Sequence, residues 1–133
     1  MKVYQEIAHQ QMESLFGNLK NDSYLAHICS EKVPETLKEH TGKVVERACW
    51  LIDQHRLEGV ICRLVAEITE NGSEGMQEEL KRMFVAVFVF HDTGKVNDNF
   101  QCQRMLNRRF KGRKTEVLVP PYGHSFLGAW LFL

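Results

Sequence analysis

The run from Met83 to Phe90, MFVAVFVF, carries no charged or hydrogen-bonding side chain and stops at His91-Asp92-Thr93-Gly94-Lys95. Apolarity on every side marks a central, buried element. Val and Phe dominate the run, which would suit an inner strand. The preceding stretch, Met76 to Met83, is strongly helix-forming and continuous with it, so a helix is expected. The run is too short to span a membrane. Whatever terminates such a helix is carried to the core, where a bare carboxylate is costly. Asp92 must therefore be paired, hydrogen-bonded or metal-bound.

The rest of the chain reads as helix around this element. The 133 residues suit one domain with a core that needs no staples. Val3 to Phe16 repeats apolar residues at helical spacing, and a less regular stretch runs from Gly17 to Val33. Pro34 is expected in the first turn of a helix that extends to about Leu57. On it, Leu37, Thr41, Val44, Ala48, Leu51 and His55 share a face, and His40 stands at the edge of that stripe. A third helix, about Glu58 to Glu70, stops at Asn71-Gly72, and the next begins at Ser73 or Glu74. Gly94 fits a helix C-terminus. Asn97 or Asp98 can cap a helix ending near Phe110. Lys111 to Tyr122, with Pro120-Pro121, is expected to be a loop before a last helix from Gly123 or His124. The end, LGAWLFL, lacks a cap and a polar tail, so truncation inside a helix is expected.

Charge and cysteine usage narrow the function classes. Cysteines at 29, 49, 62 and 102 form no CxxC pair, which predicts reduced thiols in a cytoplasmic protein rather than a disulfide framework. The N-terminus has no apolar core of a secretory signal. Net charge is zero, yet Arg104, Arg108, Arg109, Lys111, Arg113 and Lys114 cluster in a stretch without acids. Such a strip is either a solvated face or a contact for phosphate backbone.

His91 and Asp92 offer imidazole nitrogen and carboxylate oxygen, both ligands of divalent metals. As neighbours on a helix they point about 100° apart, toward two sides of one metal or toward two metals. The alternative is a core histidine beside a carboxylate bonded to its own turn. His40 lies about fifty residues upstream and His124 about thirty downstream. Three helices could thus each present ligands to one pocket.

The order of these residues resembles the HD metal-dependent phosphohydrolase superfamily. Four segments narrow the match: YLAH at Tyr24 to His27, ETLKEHTGKVVERA around His40, HDTGKVNDNFQ from His91, and GHSFLGA around His124. Together they resemble the HD nuclease domain of the CRISPR-associated helicase-nuclease of type I systems, with Phe100-Gln101 setting it apart from generic HD phosphohydrolases. The resemblance implies an all-α HD-domain helical bundle, here a partial one, spanning the whole chain as one domain. It implies metal ligands at His40, His91, Asp92 and His124, with Asp92 bridging two ions. It gives Lys95 a contact with the scissile phosphate or a charge-offsetting role. Gln101 is expected to shape the pocket and Ser125 to cap or orient the helix of His124. The family's later His-His pair and Asp, which complete the second metal site, have no counterpart here.

The activity so implied is metal-dependent hydrolysis of single-stranded DNA in CRISPR interference. Two ions about 3.5–4 Å apart would activate water and clamp the oxygens of an in-line displacement. Mixed His and carboxylate ligands favour Mn, Fe, Co or Ni, with Mg possible. A recessed site suits a single strand, and the basic strip would guide it. The implied partners are a helicase, fused or separate, and an RNA-guided surveillance complex, with no membrane. Two other functions fit the residues: an HD phosphohydrolase of nucleotides or cyclic nucleotides, and a non-catalytic nucleic-acid-binding module.

Overall fold

A computed structural model describes residues 2–19, 23–29, 32–69 and 74–111. In chain order it contains α1 (Lys2–Asn18), strands β1 (Leu25–Cys29) and β2 (Lys32–Thr36), then α2 (Leu37–Gln54), α3 (Glu58–Ile68) and α4 (Glu74–Phe90). A 3₁₀ turn (Thr93–Lys95), the short α5 (Asp98–Gln103) and a second 3₁₀ turn (Arg108–Phe110) follow. The architecture is helical, as the sequence predicts, with a small hairpin added. None of the described helices is long and apolar enough to cross a membrane.

Helices α1, α2 and α4 share one core. Tyr4, Ile7 and Ala8 of α1 meet Cys49 and Ile52 of α2 and Val85 and Val89 of α4. Each aliphatic side chain buried there contributes about 1.5–3 kcal/mol. A second cluster joins Phe16 of α1 to Ala26 of β1 and Leu37 of α2, and Met12 packs against both clusters. Burial raises the pKa of the Cys49 thiol and so keeps it protonated, while Cys62 is exposed and Cys102 half-buried; none of the three is in a disulfide.

Helix α4 is less enclosed than its composition predicts. It packs against α1, α2 and α3, and Val85, Ala86 and Val89 are buried. Met83 and Val87, however, are 49% and 58% exposed. Met83 and Val87 lie four residues apart, so one face of α4 is exposed.

The hairpin corrects the expected start of the second helix. Pro34 lies in β2, where a missing N–H is tolerated on an edge strand. The helix begins at Leu37 because Thr36 and Glu39 form a capping box: the Thr36 hydroxyl accepts from Glu39 N–H, and the Glu39 carboxylate accepts from Thr36 N–H. The buried apolar positions of α2 are Leu37, Cys49 and Ile52, beside Thr41. Leu51 and His55 from the expected stripe are exposed.

The other end of the chain departs in a similar way. Asn97 caps α5, accepting from the N–H groups of Asn99 and Phe100. The helix stops at Gln103 instead of continuing to Phe110, because Leu106 takes a left-handed φ of 49°. Asn107 then caps the second 3₁₀ turn.

A two-stranded hairpin is marginal alone and needs packing from elsewhere. Gln101, which is 0% exposed, supplies it. Its Nε2 donates to the carbonyls of Leu25 (2.9 Å) and Lys95 (2.9 Å). Its Oε1 accepts from Leu25 N–H (2.8 Å) and from Asn107 Nδ2 (3.0 Å). One amide thus ties β1, the turn after α4 and the loop after α5 together. Gln101→Leu strands these buried partners, each worth about 1–3 kcal/mol when unsatisfied. Urea unfolding should show a loss of about 3 kcal/mol or more; a loss below about 1 kcal/mol would contradict this role.

Candidate metal centre

Helix α4 ends at Phe90, and His91 and Asp92 form the turn beyond it. The Thr93 hydroxyl donates to Phe90 O at 2.8 Å, and Lys95 N–H donates to Asp92 O at 2.9 Å, closing the 3₁₀ turn. This tight reversal brings Lys95 back onto Asp92. Asp92 is 5% exposed and Lys95 4%. Lys95 Nζ donates to Asp92 Oδ2 at 2.7 Å and to the carbonyl of Ala26 at 3.0 Å. The buried carboxylate is therefore ion-paired, one of the outcomes its position demands.

Two imidazoles face the same oxygen. His40 Nε2 and His91 Nε2 each lie 3.4 Å from Asp92 Oδ2. His91 Nδ1 is 2.8 Å from Phe88 O. A carbonyl only accepts, so Nδ1 carries the proton, and the neutral ring keeps its lone pair at Nε2. His40 Nδ1 lies 3.1 Å from Glu35 Oε2, which again leaves Nε2 toward Asp92. The 3.4 Å separations are long for charge-assisted bonds, which run about 2.7–2.9 Å. Two imidazole nitrogens beside a carboxylate oxygen are a donor set that fits a divalent ion.

Each of His40, His91 and Asp92 offers one ligand atom within 4.8 Å of the others. The same holds for His27, Glu35 and His40, so His40 belongs to both groups. His27 of β1 and Glu35 of β2 are cross-strand partners, and the His27 ring meets His40 edge-on with centroids 4.5 Å apart. A groove opens beside them, lined in part by Val44, Ala48, Leu51 and Phe88. The expected apolar stripe of α2 thus partly walls this groove.

Of the residues singled out in the sequence, His40, His91, Asp92 and Lys95 come together. His124, Arg113, Lys114, Ser125 and the expected last helix lie outside the described residues. Arg104, Arg108, Arg109 and Lys111 are all exposed. Sequence reading missed Glu35 and set His27 aside. The signal available was the Thr36-to-Glu39 capping box, which starts the helix after Glu35 and leaves both residues to an extended segment.

Charge around the site is set by pairing and burial. The Lys43 ammonium, 2.6 Å from Glu35 Oε1, holds the Glu35 carboxyl below its usual range, and Glu35 in turn raises Lys43. Burial lowers His40 below 6.5, against the opposing pull of its hydrogen bond to Glu35. The neutral ring is the metal-ligating form, so protons compete at His40 only below that value. The unfolded chain takes up this proton near pH 6.5 and the folded chain does so later. Stability is therefore eroded as pH falls from about 6.5 toward the folded pKa, and His40 costs nothing above it. NMR titration of the metal-free protein should place the His40 midpoint below 6.5. A midpoint at or above that value would contradict the buried setting.

Comparison with known proteins gives one match. A family model described as "Cas3, HD domain" matches residues 29–133. No curated protein and no solved structure matches. The matched span holds every candidate ligand except His27 and covers most of the chain, which therefore belongs to the Cas3 HD domain family, the metal-dependent HD hydrolases of CRISPR systems.

Proposed function

We propose that this chain is a metal-dependent nuclease that hydrolyses phosphodiesters of single-stranded DNA during CRISPR interference. The observation that carries the reading is the convergence of His40 Nε2 and His91 Nε2 on the buried Asp92 carboxylate, each at 3.4 Å. His40, His91 and Asp92 would hold a divalent ion of the Mn, Fe, Co or Ni type, with Mg less suited to two imidazoles. When bound, the ion supplies a Lewis acid and lowers the pKa of water at the site.

The chain's own groups prepare this chemistry. Phe88 O and Glu35 set which nitrogen each imidazole presents. Lys95 offsets the charge of Asp92 while the site is being loaded. Two of the three Lys95 ammonium protons go to Asp92 and Ala26, leaving one for a phosphate oxygen. His124 would join His40, His91 and Asp92 as a ligand, and a second divalent ion held beside them would add to the same Lewis-acid chemistry. Arg104, Arg108, Arg109 and Lys111, with Arg113 and Lys114, would track the backbone of a strand. A helicase, fused or separate, and an RNA-guided surveillance complex are the proposed partners that deliver that strand.

The test is hydrolysis of circular single-stranded DNA, in parallel with a panel of mononucleotides, with added Mn²⁺, Co²⁺ or Ni²⁺. The DNA should be cleaved, and Asp92→Ala should lower the rate by at least about 100-fold, since losing even an outer partner of a metal ligand costs 10–100-fold. Mononucleotide turnover with intact DNA would establish a nucleotidase instead. Metal-free DNA binding that survives Asp92→Ala, with no hydrolysis, would establish a binding module.

A further inference from the structure

We propose that Glu35 is a positioning residue for His40: its carboxylate takes the Nδ1 proton and so fixes Nε2 as the atom presented to the metal. This rests on reading His40, His91 and Asp92 as the metal centre.

The two histidines are oriented by different means. His91, in the turn after α4, is held by the carbonyl of Phe88, three residues earlier in the last turn of that helix. That bond forms wherever α4 forms. His40 is held by a side chain instead of a backbone carbonyl. Its Nδ1 is 3.1 Å from Glu35 Oε2, on a separate element, β2. The tautomer of His40 is thus set by a side-chain contact that a single substitution can remove.

Glu35 is built to hold still. Its other oxygen, Oε1, accepts from Lys43 Nζ at 2.6 Å. Lys43 lies three residues beyond His40 on α2, so one carboxylate spans two neighbouring positions of a helix face. His27, opposite Glu35 in the hairpin, meets the His40 ring edge-on at 4.5 Å and limits its tilt. The hairpin is in turn fixed through Leu25 by Gln101. A carboxylate behind a metal-bound imidazole raises ligand basicity and orients the ring.

The same residues do not form a second cation site. His40 Nδ1 cannot bind an ion while it donates to Glu35. The Lys43 ammonium beside Glu35 also repels a divalent cation.

Two readouts test the assignment, with circular dichroism melts confirming that each variant folds. In the metal-free protein, imidazole ¹⁵N shifts should show the Nδ1–H tautomer of His40. Glu35→Ala should give a tautomer mixture, and Glu35→Gln, whose amide oxygen still accepts, should keep it. In Co²⁺ titrations followed by visible absorbance, Glu35→Ala should weaken binding about 10–100-fold at unchanged stoichiometry. Glu35→Gln should recover most of that loss. A wild-type tautomer unchanged in Glu35→Ala overturns the proposal. So does the loss of one equivalent of Co²⁺ in both Glu35→Ala and His27→Ala, which would assign a second metal site. If the wild-type chain takes up no Co²⁺, the metal-centre reading fails, and the ¹⁵N shifts still decide whether Glu35 sets the tautomer.

Discussion

A buried carboxylate is the constraint to which the rest of this molecule answers. Asp92 follows the unbroken apolar run that ends α4 and is 5% exposed. Desolvating such a charge costs several kcal/mol unless a counter-charge meets it. Lys95 meets it at 2.7 Å, and the 3₁₀ turn between the two residues makes the approach possible. Removing one partner of such a pair costs about 3–5 kcal/mol. The same carboxylate oxygen also faces His40 Nε2 and His91 Nε2, each at 3.4 Å.

From that point the structure reads outward. The core of α1, α2 and α4 sets where α4 ends and which way α2 turns His40. The hairpin closes over this junction, carrying the Ala26 carbonyl to Lys95 and Glu35 to His40. Gln101 locks the hairpin by bonding both backbone groups of Leu25. Gln101, singled out in the sequence together with Phe100, therefore has a structural explanation. The glutamine belongs to the support of the site rather than to its chemistry.

Much of this was legible in the sequence, for reasons of local physics. The apolar run fixed α4, Asn97 announced a cap, and His91-Asp92 at a buried helix end demanded a partner. His40 at the edge of an apolar stripe pointed to a cleft, and the family model over residues 29–133 agrees with the resemblance and spans three of its four motifs, those around His40, His91 and His124. The hairpin was not legible. Its strands have little alternation, Val33 is 90% exposed, and its register is irregular, so its stability comes from Gln101 and Leu37 rather than from its own pattern. Pro34 gave a plausible helix start, but the Thr36 capping box, one turn later, won. The exposed stripe of Met83 and Val87 shows the limit of composition: apolarity says a surface seeks cover, not which element covers it.

The claim on which the rest stands is that His40, His91 and Asp92 share one divalent ion. Crystals of this chain soaked in Mn²⁺, with an anomalous difference map recorded near the manganese edge, test it most directly. The account predicts a peak within about 2.0–2.3 Å of His40 Nε2, His91 Nε2 and an Asp92 oxygen. A fully soaked crystal with no peak there, and with Lys95 still paired to Asp92, would contradict it.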